Sequence, residues 1–318
     1  MTDHRTLRKD ENALYRARSA AEFREMFAGL AGVAVETLVF RLLPESSVCA
    51  ILLGGSIPLG IGTEASDVDL IAVTEGDTVP LAVADEKMRV AFVGRSLDAA
   101  ESLFLGTTVV LIEGVEVDIA FVRLAETLST LERLERGDVA IPPDRGRQLA
   151  RLRSGWVLWQ SPLFDSTMRP ALRSLAFDVH ACVNALVLGA KYLEDAFYAL
   201  PRNVHAALHL GRCCVDRCFA GFLASRARPF IGERWIRYFE SCIESLTHGL
   251  SAGQRARLQG GIALMFPACT DSSDEARHYL NLVEQFARDV RAIVELDLRY
   301  RIALGVCPQF NSILRPRA

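Results

Sequence analysis

Asp67 and Asp69 flank one valine at the head of an apolar run, DVDLIAV (67–73), and Asp118 sits between Val117 and Ile119 in a second run, TVVLIEGVEVDIAFV (108–122). Alternate side chains of a strand share a face, so Asp67 and Asp69 project together while Val68 turns toward the core. Two carboxylates held that close repel, and one is driven to protonate unless a cation stands between them. Hard divalent cations take oxygen ligands, and magnesium is commonly held by one or two carboxylates plus substrate phosphates. The spacing therefore predicts a metal site, and Asp118 offers it a third carboxylate.

Upstream, Gly54, Gly55 and Ser56 close another apolar run, VCAILLG (48–54). Glycines let the backbone turn sharply and approach a ligand closely, and the exposed amides and hydroxyl suit phosphate oxygens. Pro58 fits the start of a short helix after that turn. A phosphate cradle beside a metal-binding carboxylate set is machinery for phosphoryl or nucleotidyl transfer, in which metal ions neutralise charge and align the attacking and leaving oxygens.

The run Gly55-Ser56, three residues, Gly60, five residues, then Ser66-Asp67-Val68-Asp69-Leu70 resembles the signature of the DNA polymerase β-like nucleotidyltransferase superfamily, in the spacing of its minimal and aminoglycoside-type members. Asp118 looks like the third carboxylate of that family on a neighbouring strand. The resemblance implies two Mg2+ ions on Asp67, Asp69 and Asp118, and a nucleoside triphosphate (NTP) held by Gly55, Ser56 and Ser66. It further implies Lys191, the single lysine of the C-terminal half, as a phosphate contact and Glu194 as general base on the acceptor hydroxyl. Against those roles, a snorkelling lysine and a solvated helix face explain the same residues. One departure stands out: where many small members carry basic residues after the serine, this chain has Ile57, Pro58 and Leu59.

The elements that must position these groups follow from the change of hydrophobic period. Residues 1–46 read as helical up to Pro44; VCAILLG, DVDLIAV and MRVAFVG (88–94) read as strands, LDAAESLFL (97–105) as a short helical piece, and TVVLIEGVEVDIAFV as a hairpin about Glu113-Gly114. A charged helix, AETLSTLERLER, a basic helical segment and a late strand, GWVLWQS (155–161), complete this half. Beyond SPLFDSTMRP the strand signals stop and helices take over: one ending at Pro201, then NVHAALHLGRCCVDRCFAGFLAS, GERWIRYFESCIESLTHGL, and a last one opened by a capping box at Ser272 to Glu275. The expected fold is α+β, a mixed-sheet nucleotidyltransferase domain over 1–165 followed by a helical acceptor domain over 166–318.

Composition narrows the function classes. The chain has 318 residues, half of them hydrophobic, and a net charge of −3. A grip on a long nucleic-acid backbone asks for a basic excess or stripe, so nucleic acid is the less favoured partner, although a local basic groove stays open. The start is charged and lacks the apolar core of an export signal, and Asp178, His180, Lys191 and Glu194 interrupt the richest apolar stretches, so neither a signal peptide nor a membrane span is expected, and the cytoplasm is the expected compartment. The eight cysteines read as reduced and buried; the cluster CCVDRC (213–218) lacks the second half of a zinc motif. Arginine-histidine pairs at Arg173/His180 and Arg202/His209 have the spacing of a helical nuclease motif, but such pairs arise readily in an arginine-rich chain. Trp235, Tyr238 and Phe239, at helical spacing, read as core rather than a stacking platform.

The function this predicts is magnesium-dependent transfer of a nucleoside monophosphate from an NTP to a small hydroxylated acceptor, with pyrophosphate released. Two alternatives stay open: an RNA- or nucleotide-directed transferase, and a catalytically silent nucleotide-binding or toxin-antitoxin partner protein. Helices apolar on more than one face leave room for a homodimer.

Overall fold

The protein is described by a computed structural model covering residues 14–63, 66–76, 88–95, 103–136, 143–228 and 235–305. Two compact units part between Ser174 and Leu175. The first is α+β and the second is helical.

In the first unit, helices α1 (Ala20–Ala31) and α2 (Val35–Leu42) precede the strands β1 (Val48–Leu53), β2 (Val68–Thr74), β3 (Met88–Arg95), β4 (Phe104–Ile112) and β5 (Val115–Arg123). Helices α3 (Leu124–Glu135) and α4 (Pro143–Ser154), strand β6 (Trp156–Gln160), and the short helices α5 (Pro162–Ser166) and α6 (Met168–Leu172) complete it. What the periodicity reads as one helical region is two helices. Ser19 caps α1, its hydroxyl accepting from Glu22 N, and Gly32 ends it in the left-handed conformation at φ 63°.

Among the described residues the sheet has six strands in the order β3-β4-β5-β2-β1-β6. β2 and β5 run parallel while the remaining neighbours are antiparallel. The β4–β5 hairpin turns on Glu113 (φ 48°) and Gly114 (φ 89°), a pair of left-handed residues that matches strand twist in a two-residue loop. Phe104 and Leu105, expected in a helical piece, are strand residues of β4. Residues 97–102 of that piece lie outside the described residues.

One face of the sheet is closed by α1 and α2. Phe23, Phe27, Leu38 and Val39 pack there with Val68, Leu70 and Ala72 of β2 and Val117, Ile119 and Phe121 of β5. Because side chains alternate, the residues between them, Asp69 and Asp118 included, belong to the opposite face.

The second unit comprises α7 (Leu175–Ala199), α8 (Val204–Ser225), α9 (Trp235–Leu246), α10 (Ala252–Ala263), α11 (Ser273–Val294) and α12 (Leu298–Gly305). Phe219 of α8 packs with Phe239 of α9 and Phe286 of α11, at ring separations of 5.2 and 5.1 Å. Tyr238 and Phe239 are buried as core. Close helix approach rests partly on small residues: a Cβ on Gly261 of α10 would lie 2.1 Å from the Phe286 ring. Ser272 caps α11 through Glu275 N. A reciprocal capping box forms instead on α10, between Ser251 and Gln254, and that helix is not evident in the apolar pattern.

Among the described residues one helical stretch, Met168–Ala199, is long and apolar enough to cross a membrane by length and composition alone. Its α7 portion packs along α8, α11 and α12. Cys49, Cys182, Cys214 and Cys218 are buried free thiols, as expected; Cys213 and Cys242 are only half-buried, and Cys269 is exposed. Cys307 lies outside the described residues. Burial, aided by the nearby Glu75 carboxylate, pushes the Cys49 thiol up to about 12.

Candidate functional site

Strand β1 is buried along its whole length and is followed by Gly54, whose N–H donates to the Asp69 carbonyl at 2.7 Å. That bond ties the mouth of β1 to the mouth of β2. Gly55 follows in the left-handed region at φ 69°, and a Cβ there would fall 1.9 Å from Asp69 Oδ2. Only glycine leaves room for the carboxylate to lie over this backbone. Ser56 is 2% exposed, and its Oγ has no hydrogen-bond partner among the described residues.

The short helix expected at Pro58 does not form. Residues 55–60 are turns, closed by Gly60 N to Ile57 O at 3.0 Å and Ile61 N to Ser56 O at 3.1 Å. Gly60, at φ 70°, stops a helix from propagating. Ile57 and Ile61 are buried, and Ile57 joins the α1–α2 core. Here the apolar residues after the serine act as anchors of the turn.

Asp69 and Asp118 are register partners across the parallel pair β2–β5. Each is half-buried, and Asp67, one residue before β2, is exposed. Asp118 Oδ1 is buried without a hydrogen-bond partner among the described residues. Burial raises the proton affinity of Asp118 above the ordinary carboxylate range, and the negative charges of Asp69, Asp67 and Glu116 raise it further, with Arg151 opposing.

Arg151 is the site residue that the sequence reading missed. It projects from α4, whose Leu149 and Leu152 are fully buried, and its Nη2 lies 3.1 Å from Asp69 Oδ1. The guanidinium also stands 6.0 Å from the Phe104 ring centroid. Gln148 of the same helix accepts from Leu103 N at 2.6 Å, and Gly155 lies so close to Leu53 O that a Cβ would sit 3.0 Å away. α4 is thus pinned beside the ends of β1 and β4. The available signal was a basic helix, RQLARLR, immediately before a strand that adds to β1.

Ser66, next to Asp67, uses its hydroxyl to accept from Thr63 N at 2.8 Å while its own N–H donates to Thr63 O at 2.9 Å. Lys191 and Glu194 belong to the second unit, on α7. Lys191 Nζ lies 2.8 Å from Asp195 and 3.6 Å from Glu194, all three side chains being substantially exposed. The carboxylates raise the Lys191 proton affinity, Asp195 first through its hydrogen bond. Arg202 packs on the Tyr198 ring at 4.7 Å, whereas the His209 ring meets Cys213 at 3.7 Å.

The donor set suits a hard cation. It offers carboxylate oxygens, together with an Asp118 Oδ1 and a Ser56 hydroxyl that are buried without hydrogen-bond partners among the described residues. Among the described residues no three His, Cys, Asp or Glu side chains are gathered into a ready metal cluster. A cation held here would draw on substrate oxygens as well.

No protein-family model and no curated protein matches the chain. Among solved structures, a nucleotidyltransferase-like protein from Exiguobacterium sibiricum 255-15 is similar at 12% identity, over 94% of this chain and 81% of that one, with a TM-score of 0.40. At that level of likeness, the arrangement of Asp69, Asp118, Gly55 and Arg151 has to carry the functional reading by itself.

Proposed function

We propose that the chain is a magnesium-dependent nucleotidyltransferase that moves a nucleoside monophosphate from an NTP to a hydroxyl of a small-molecule acceptor. The observation that supports this most directly is the register of Asp69 and Asp118 on parallel neighbours, beside a glycine turn whose buried Ser56 hydroxyl has no hydrogen-bond partner among the described residues. In the reaction a bond forms between the acceptor oxygen and the α-phosphorus as the bond to the bridging oxygen breaks. Pyrophosphate leaves, and the hydroxyl proton passes to a carboxylate.

Asp67, Asp69 and Asp118 are the residues that would hold magnesium, and the bound ion supplies neutralisation of the phosphate charge. The Gly55 amide and Ser56 hydroxyl would hold the β- and γ-phosphates. The base role for Glu194 and the phosphate role for Lys191 rest on the family resemblance. The net charge of −3 supports a small acceptor over a nucleic-acid chain.

The test is a transfer assay with each α-labelled ribonucleoside triphosphate and a panel of hydroxylated small molecules. Labelled adduct and pyrophosphate should appear with magnesium and vanish in Asp69→Asn and Asp118→Asn. Wild-type turnover by either variant contradicts the proposal.

A further inference from the structure

Asp69 presents one carboxylate oxygen to the glycine turn and the other to a cation of the protein. Oδ2 lies over Gly55, and Oδ1 takes the Arg151 guanidinium at 3.1 Å. A cation seated on Oδ1 therefore competes with Arg151 for that oxygen. The arginine is free enough to move, since its side chain is 42% exposed, while the helix that carries it is fixed by Leu149, Leu152, Gln148 and Gly155. The charge balance favours that exchange: Asp67, Asp69 and Glu116 all raise the proton affinity of Asp118, and among the described residues Arg151 is the cation opposing them. One guanidinium leaves the cluster strongly negative, whereas a divalent ion adds twice its charge.

Once released, Arg151 stays tethered within a side-chain length of Asp69, where the phosphates of a metal-bound triphosphate would lie. The turn after Ser56 offers no cation of its own, because Ile57, Pro58 and Leu59 fill it and Ile57 is committed to the core. A guanidinium binds phosphate oxygens through two parallel N–H bonds and keeps its charge at any working pH.

We infer that Arg151 is an exchangeable counter-ion: it holds Asp69 when no divalent cation is bound, cedes Asp69 to that cation, and then binds the phosphates of the triphosphate. This rests on the nucleotidyl-transfer reading of the site. It gives Arg151 opposite effects on the two ligands, opposing the metal alone and favouring the metal-triphosphate.

The test is calorimetric titration of the full chain, in the wild type and in Arg151→Gln, Arg151→Lys and Asp69→Asn. The probes are Mn2+ alone, then Mn2+ with an α,β-methylene triphosphate. Arg151→Gln should bind Mn2+ alone about 3- to 10-fold more tightly, a range set by one partly exposed unit charge. It should bind the Mn2+-triphosphate about 10-fold or more weakly, through loss of a charge-assisted bidentate contact. Arg151→Lys, which keeps the charge and loses the fork, should fall between wild type and Arg151→Gln for both ligands. Equal affinities, or shifts of the same sign for both ligands, overturn the inference. If Asp69→Asn abolishes Mn2+ binding while Arg151→Gln changes nothing, the Arg151 role alone falls. If wild type binds neither probe, the site reading falls with it.

Discussion

The Asp69 carboxylate occupies the space that a side chain on Gly55 would fill, with Oδ2 only 1.9 Å from the would-be Cβ. Two residues fourteen positions apart therefore specify one another, and the left-handed φ of 69° at Gly55 reinforces the choice. Gly55→Ala should destabilise the fold by about 1–2 kcal/mol through backbone strain alone. The larger expected effect is on ligand binding, because Asp69 must swing away from the turn. Denaturant unfolding together with nucleotide titration checks this; an alanine variant with wild-type affinity would contradict the geometry.

Asp118 supplies a pH signature that needs no substrate. Its native proton affinity is raised, first by burial and then by Asp69, Asp67 and Glu116. The native state thus keeps a proton that the unfolded chain has already lost, so with chelator present stability should fall as pH rises from the ordinary value of 3.8 through the raised native value. Above that window the penalty stays constant. Asp118→Asn should remove this slope and melt higher than wild type at neutral pH, while losing transfer. Thermal melts of both proteins in chelator, from about pH 4 to about pH 8, compare the two curves.

Asp297 runs the other way. Its carboxyl is held down at about 2, chiefly by hydrogen bonding from Arg299. A depressed acid stabilises the fold above the unfolded value and loses that contribution as pH falls, here from 3.8 toward about 2. Asp297→Asn should flatten the acid limb of the melting curve without touching nucleotide affinity, a combination that thermal melts and calorimetry separate.

Lys191 and Glu194 are paired on an exposed helix surface, so replacing them should leave the melting temperature essentially unchanged. If the roles implied by resemblance are real, Lys191→Ala raises KM for the triphosphate and Glu194→Gln lowers kcat. Unchanged kinetics in both would assign the pair to the surface alone.

Much of the architecture was legible in the chain. The strands β1, β2, β5 and β6, the Glu113-Gly114 hairpin and the helical second half follow from period and turn chemistry, because those signals are local. So was the pairing of a glycine-serine turn with Asp67, Asp69 and Asp118, whose types share one chemistry. Three features were not legible, each for a physical reason. Gly60 in a left-handed conformation stops the helix that Pro58 would start, and a glycine's φ is set by its surroundings. The capping box on α10 is local, but that helix is mostly polar on its surface and shows little apolar period. The Arg151–Asp69 contact joins residues 82 positions apart through tertiary packing, and among so many arginines no pattern singles this one out.

Helix packing offers a control far from the chemistry. Gly261 faces the Phe286 ring so closely that a methyl group cannot enter without moving it. Gly261→Ala should lower stability by about 1–3 kcal/mol, as overpacking of a core does. Its affinity for nucleotide, measured on the folded fraction, should match wild type.

The most direct measurement of the central claim is calorimetric titration of the full chain with each of the four ribonucleoside triphosphates, in magnesium and in excess chelator, alongside Asp69→Asn. Binding of at least one triphosphate that requires magnesium and disappears in Asp69→Asn is the expected result. Triphosphate binding that persists in chelator, or that Asp69→Asn leaves intact, would contradict the assignment of this carboxylate set as a metal-nucleotide site.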